Sequence, residues 1–172
     1  MKKILVIVLG IFVLCFGTAY AVEVGDTVEN INLKDAEDKP SQIPFFGEKV
    51  LSIIYADPEA SDMNDPLADA LKAKNFDIEK YKGIGIANMK DTWKPNSIIR
   101  MVVRKKIEKY KSTILTDPDR TFPKQWSLGD CDDVSVVVII GKDKKVKYLK
   151  KGEVTKDEIP NVISLIEQLM NQ

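Results

Sequence analysis

The stretch "VLSIIYADPEASDMNDPLADALK", Val50 to Lys72, decides the fold. With Lys49 it opens as "KVLSIIYA", a continuous apolar run rich in isoleucine, as a strand covered on both faces requires. A polar loop follows, and "NDPLADALKAK" then starts like a helix. Asn64 or Asp65 serves as cap, Pro66 fits the first turn, and Leu67 and Leu71 stand four apart. Junctions of this kind are where α/β proteins often place their ligands. This one holds four acids, Asp57, Glu59, Asp62 and Asp65, with no cysteine, histidine or lysine.

Outward from that unit the pattern continues. "VGDTVENINLKDAEDKPSQIPFF" alternates around a polar turn and predicts an N-terminal β-hairpin. "GIGIANM", Gly83 to Met89, reads as a second central strand, and "IIRMVVRKKIEKYK" as a helix with Ile99, Val103, Ile107 and Tyr110 on one stripe. "STILTD" is a short strand. "SVVVII" is the most β-prone run, and Gly141–Lys144 turns it back into "KVKYLKK". A last helix is expected over 157–171, with Pro160 in its first turn. The order is hairpin, β-α-β-α-β, then ββα. Helical crossovers between the first central strands require parallel pairing, so the class is α/β with a mixed sheet.

The chain begins Met1-Lys2-Lys3, runs apolar from Ile4 to Phe16 and reaches Ala19-Tyr20-Ala21. This is the pattern of a secretory signal peptide over 1–21, leaving a domain over 22–172. The apolar run is shorter than the roughly 20 residues a spanning helix needs, and no later run approaches that length. An exported domain in an oxidising compartment, periplasmic or secreted, is expected. It carries 24 basic and 26 acidic side chains, a balance that draws it to no nucleic acid. The 172 residues contain no histidine, which excludes histidine triads, histidine general bases and histidine-ligated zinc. Beyond residue 21 the one cysteine is Cys131, so no internal disulfide forms there.

The element order and several phrases resemble the exported branch of the thioredoxin fold, related to thiol peroxidases and cytochrome-maturation thioredoxins. The phrases are "VGDTVENINLKDAEDKPSQI", "GEKVLSIIYA", "LTDPDRTFPKQWSL" and "VSVVVIIGKDKKV", which together cover nearly all of 22–172. "DPEASDMNDPL", "DTWKPNSIIR" and "DPDRTFPKQWSL" are most similar to the YtfJ-type periplasmic proteins. The resemblance implies a thioredoxin-like domain whose ligand sits at the end of the first central strand. There the redox members carry C-x-x-C, with a thiol activated by the following helix N-terminus. Here the matching positions, Ala56, Asp57, Pro58, Glu59, Ala60, Ser61 and Asp62, hold no sulfur, and Ser135 stands where those members carry a cis-proline. Dithiol exchange of the usual kind is therefore not expected.

Two loops remain as candidates. If the resemblance holds, the segment Asp130–Asp133 packs against the sulfur-free loop and brings Asp57, Glu59, Asp62, Asp130, Asp132 and Asp133 to one edge of the sheet. Such a cluster suits a hard cation such as Ca²⁺, or a basic segment of a periplasmic partner protein. The expected function is thus a non-catalytic binding module. The alternative is a thiol-redox or peroxidase-like accessory acting through Cys131, against which the flanking aspartates should raise the thiol pKa. Arg100, Arg104, Lys105, Lys106, Lys109 and Lys111 read as the solvated face of a helix, the sharper reading being peripheral contact with anionic lipid through Arg100, Arg104, Lys105 and Lys109. Trp93 and Trp126, each near a turn signal, are expected to pack over sheet ends.

Overall fold

The structure, a computed structural model, describes residues 21–90 and 92–172. All of the expected leader except Ala21 lies outside the described residues. Seven strands form one sheet: β1 (Asn32–Lys34), β2 (Pro40–Gln42), β3 (Val50–Ala56), β4 (Tyr81–Asn88), β5 (Thr113–Asp117), β6 (Ser135–Ile140) and β7 (Val146–Lys151). Their spatial order is β2-β1-β5-β4-β3-β6-β7. Among the described residues four helices accompany them: α1 (Asp65–Lys74), α2 (Asn96–Tyr110), α3 (Thr121–Gln125) and α4 (Ile159–Met170).

The crossovers through α1 and α2 make β3, β4 and β5 parallel, in register from Val50 opposite Tyr81 to Ala56 opposite Ala87. β6 returns antiparallel to β3, setting Ala56 opposite Ser135, and β7 hairpins back outside it. The N-terminal hairpin β1–β2 closes the far edge through a contact of Lys34 with Thr116.

Alternation along these strands splits the core in two. One face takes Leu51, Ile53 and Tyr55 of β3, Ile84 and Ile86 of β4, and Val136 and Val138 of β6. Phe122, Trp126 and Cys131 pack against them. Tyr55 and Phe122 stack with centroids 5.3 Å apart. The other face takes Val50, Val137 and Ile139, sealed by Leu67 and Leu71 of α1 and Val162, Ile163 and Ile166 of α4. Burying each such aliphatic contributes about 1.5–3 kcal/mol, and these two clusters are the source of the fold's stability.

On that second face β4 presents Gly83, Gly85 and Ala87, while its first face presents isoleucine. α2 reaches the sheet farther out, through Ile99 and Val103 against Ala36 and Met89, with Ala87 and Ile114 beside them. The space left between α1, α2 and the β3–β4 surface is a cleft of about 720 Å³.

The expected elements form in the expected order. Two short ones had no sequence signal of their own: α3, and a 3₁₀ turn at Pro58–Ala60. A helix does begin at Asp65, but Asn64 does not cap it with its side chain. The Asn64 amide is engaged elsewhere, donating to the Gly152 carbonyl (3.1 Å) and accepting from the Val154 N–H (2.8 Å). It pins the segment leading to α4 against the start of α1. Trp126 is buried and donates its indole N–H to the Glu29 carbonyl at 3.0 Å, whereas Trp93 is 85% exposed rather than packed over a sheet end.

Candidate functional site

β3 ends at Ala56, and Asp57 turns the chain into the sulfur-free loop. Its carboxylate accepts the Glu59 N–H at 2.9 Å, so Asp57 caps the 3₁₀ turn that Pro58 begins. Its other oxygen accepts the amide of Asn88 at 3.2 Å. Asn88 ends β4 and is itself buried, and its side-chain amide oxygen accepts the Lys90 N–H at 2.9 Å. Asp57 is fully buried, and that desolvation pushes its pKa up to about 7 despite the Glu59 N–H.

The second loop follows α3 and leads into β6. The Asp57 N–H donates to the Val134 carbonyl at 3.2 Å, tying the two segments together directly. Asp133 adopts a left-handed conformation, φ +51°, which aspartate tolerates better than most side chains. Oxygens of Asp57, Asp132 and Asp133 then lie within 4.8 Å of one another. One is buried and two are exposed, so the three make an acidic notch with a dry floor. Oxygens about 2.3–2.6 Å from one calcium ion can span up to roughly this separation.

The other expected members of the cluster are placed differently. Glu59 stays beside Asp57 but is engaged outside the cluster, accepting from Thr92 at 3.0 Å and pairing with Lys94 at 3.2 Å. Its pKa is held below the ordinary range by hydrogen bonding with Asp57 first, then by Lys94 and Thr92. Asp62 pairs with Lys106 at 2.9 Å, which lowers its pKa in turn. Asp130 accepts the Asp132 N–H at 3.2 Å and so shapes the second loop. Two of the six acids thus already have cationic partners, and three converge.

Ala56, Pro58, Ala60 and Ser61 build the loop without adding a reactive atom. Ser135 sits where the resemblance places it, opposite Ala56, its peptide bond trans and its hydroxyl donating to the Tyr55 carbonyl at 3.0 Å. Cys131 is only 4% exposed and belongs to the core with Trp126 and Phe122. Its thiol pKa is raised, first by burial and less by Asp130, with Lys151 opposing. The sequence reading gave the flanking aspartates the leading part, but desolvation comes first. Arg100 pairs with Asp38 at 2.8 Å and Lys109 with Asp65 and Asp69 at 3.6 and 3.5 Å, so much of the basic helix face is tied internally.

Asn88 is the member of this site that the sequence did not single out. Its one signal was a polar side chain closing the apolar run of β4. The end of the first central strand therefore holds a buried acid, an amide and two surface carboxylates, with no thiol presented to solvent. Such a site can hold positive charge, and nothing in it forms or breaks a disulfide.

Known proteins agree with this fold. A putative thiol:disulfide interchange protein DsbE from Chlorobium tepidum superposes with a TM-score of 0.65, covering 87% of this chain and 99% of that one, at 12% identity. An uncharacterized protein YtfJ of Escherichia coli K12 is 28% identical over 127 residues, and one from Haemophilus influenzae Rd 29% identical over 112. The matches take in 71% and 64% of this chain and 66% and 60% of those relatives' length, respectively. The family model described as "Bacterial protein of unknown function (YtfJ_HI0045)" matches residues 41–169, and the chain belongs to that family.

Proposed function

We propose that this chain is an exported, non-catalytic thioredoxin-like module that binds positive charge at the notch of Asp57, Asp132 and Asp133. The ligand is a hard divalent cation of the calcium type or the basic side chain of a partner protein in the envelope. One observation carries the reading: three carboxylates from two loops converge where redox relatives of the fold place their thiols. The leader-like start over 1–21 supports export. The buried, pKa-raised Cys131 does not favour a thiol mechanism.

The test is thermal unfolding at pH 8 in chelator, in calcium, and with a short oligoarginine peptide. Calcium or the peptide should raise Tm, and Asp132→Asn with Asp133→Asn should remove the gain. A Tm unmoved by either, in protein that is otherwise folded, overturns the reading.

In chelator Asp57 should also set a pH dependence. Its folded pKa, about 7, lies above the ordinary 3.8, so the folded chain holds a proton that the unfolded chain has released. Stability from this group is unaffected below about pH 4, falls between about pH 4 and 7, and is lowest above, by of order 3 kcal/mol. Asp57→Asn should flatten that fall, read as a Tm difference between pH 5 and pH 8 smaller by roughly 10 °C.

A further inference from the structure

The cleft on the opposite face of β3 and β4 is built rather than left over. Its floor is Gly83, Gly85 and Ala87 of β4 with Ser52 and Ala56 of β3. The same strands carry Ile84, Ile86, Ile53 and Tyr55 on the packed face. A Cβ at Gly83 would make ordinary contacts with the Tyr81 hydroxyl at 3.4 Å and the Ser52 hydroxyl at 3.6 Å. One at Gly85 would fall 3.0 Å from Ile114, so the two glycines keep the floor low. Ile54, Leu71, Phe76 and Ile114 contribute to an apolar lining, and about 720 Å³ falls in the range of small-molecule sites. At the mouth Ile78 is 74% exposed, with Ile98 and Val102 also exposed. Grouped apolar exposure of this kind marks a binding surface.

The helices are tied to each other across the cleft by charge. Lys106 of α2 reaches Asp62 at 2.9 Å, Asp65 at 2.6 Å and the Ser61 carbonyl at 2.8 Å. Those are the acids of the lining, and Lys106 meets both. Lys94 is taken by Glu59. Lys72 instead donates to the carbonyl of Lys109, and the Lys111 ammonium makes no hydrogen bond or ion pair among the described residues. Positive charge without a carboxylate partner is thus left at the end of the cleft formed by Lys72, Tyr110 and Lys111. A peptide strand could not add to this floor, because β4 is paired with β3 on one side and β5 on the other. An apolar chain ending in an anion meets both demands.

We propose that this cleft binds a long-chain fatty-acid anion, its acyl chain on the glycine floor and its carboxylate at Lys72 and Lys111. This is independent of the acidic notch, which lies at the strand ends on the other side, so either site can fail alone.

The experiment is fluorescence titration with cis-parinarate, followed by competition. A saturable signal displaced by palmitate is expected. Gly83→Leu, which fills the floor, should abolish it. Ile98→Glu, on the exposed mouth and safe for folding, should weaken it about tenfold. Lys72→Glu with Lys111→Glu should weaken palmitate about tenfold while leaving competition by uncharged hexadecanol unchanged. The proposal is overturned by a titration without saturation, or by Gly83→Leu and Ile98→Glu both binding like the parent chain. Displacement by lysophosphatidylglycerol but not palmitate overturns it, as does self-association in sedimentation that abolishes the signal.

Discussion

One face of the sheet is finished in two ways. Over β3 and β6, α4 and part of α1 lock Val137 and Ile139 under Ile163 and Ile166, and water is excluded. Over β4, a few ångströms away, α1 and α2 lie across glycine and alanine and enclose a cleft. Both regions have amphipathic helices and the same strand alternation. The difference lies in side-chain volume on the strands: branched residues meet the helix, whereas glycines leave it standing off, bridged by lysines. A sheet face is closed by what the strand offers, not by the presence of a helix above it.

Truncation in the closed half should have the largest effect. Ile166 is fully buried, and Ile166→Ala should cost about 3 kcal/mol, lowering Tm by roughly 10 °C. The contrast breaks if Val102→Ala at the cleft mouth costs as much. Next comes the bridge over the cleft. Lys106→Met should cost about 1 kcal/mol, and added salt should weaken the parent chain more than the variant. Equal salt responses in urea melts would mean that the lysine bridge holds nothing. The smallest effect has the opposite sign. Gly83→Ala should stabilise by roughly 0.5 kcal/mol, because the new methyl makes ordinary contacts and the unfolded chain loses freedom. Gly85→Ala should gain less, since its Cβ would fall 3.0 Å from Ile114 Cγ1. If the two alanines behave alike in calorimetry, the floor is more pliant than described.

The long elements were legible because their signal is local. "VLSIIYA" and "SVVVII" are apolar enough to be central strands in any context, and the periodicity of "IIRMVVRKKIEKYK" spans its whole helix. α3 was not legible, since its five residues include a proline and show no period. The glycines of "GIGIAN" were read as part of a strand, correctly, yet their consequence was invisible. Alternation tells which residues share a face, not how far away the opposing helix stands. The acidic site was half legible for the same reason. Composition could place acids on two loops, but a lysine of α2 claims Asp62 and Lys94 claims Glu59 only once distant segments meet. Burial of Asp57, which distinguishes it from its neighbours, is a property of the assembled strand ends.

The outermost strands have a further consequence. β2 is three residues long and begins with Pro40, which has no N–H to offer a neighbour. β7 reads "VKYLKK", and Lys147, Lys150 and Lys151 stud the other border with charge. Borders that short or that cationic are poor templates for strand addition by another molecule. A protein bordered in this way is guarded against edge-to-edge stacking into fibrils, although its interior strands are as sticky as any. Where copies or partners do meet this molecule, they are steered toward its helices and loop ends, and away from its ladder.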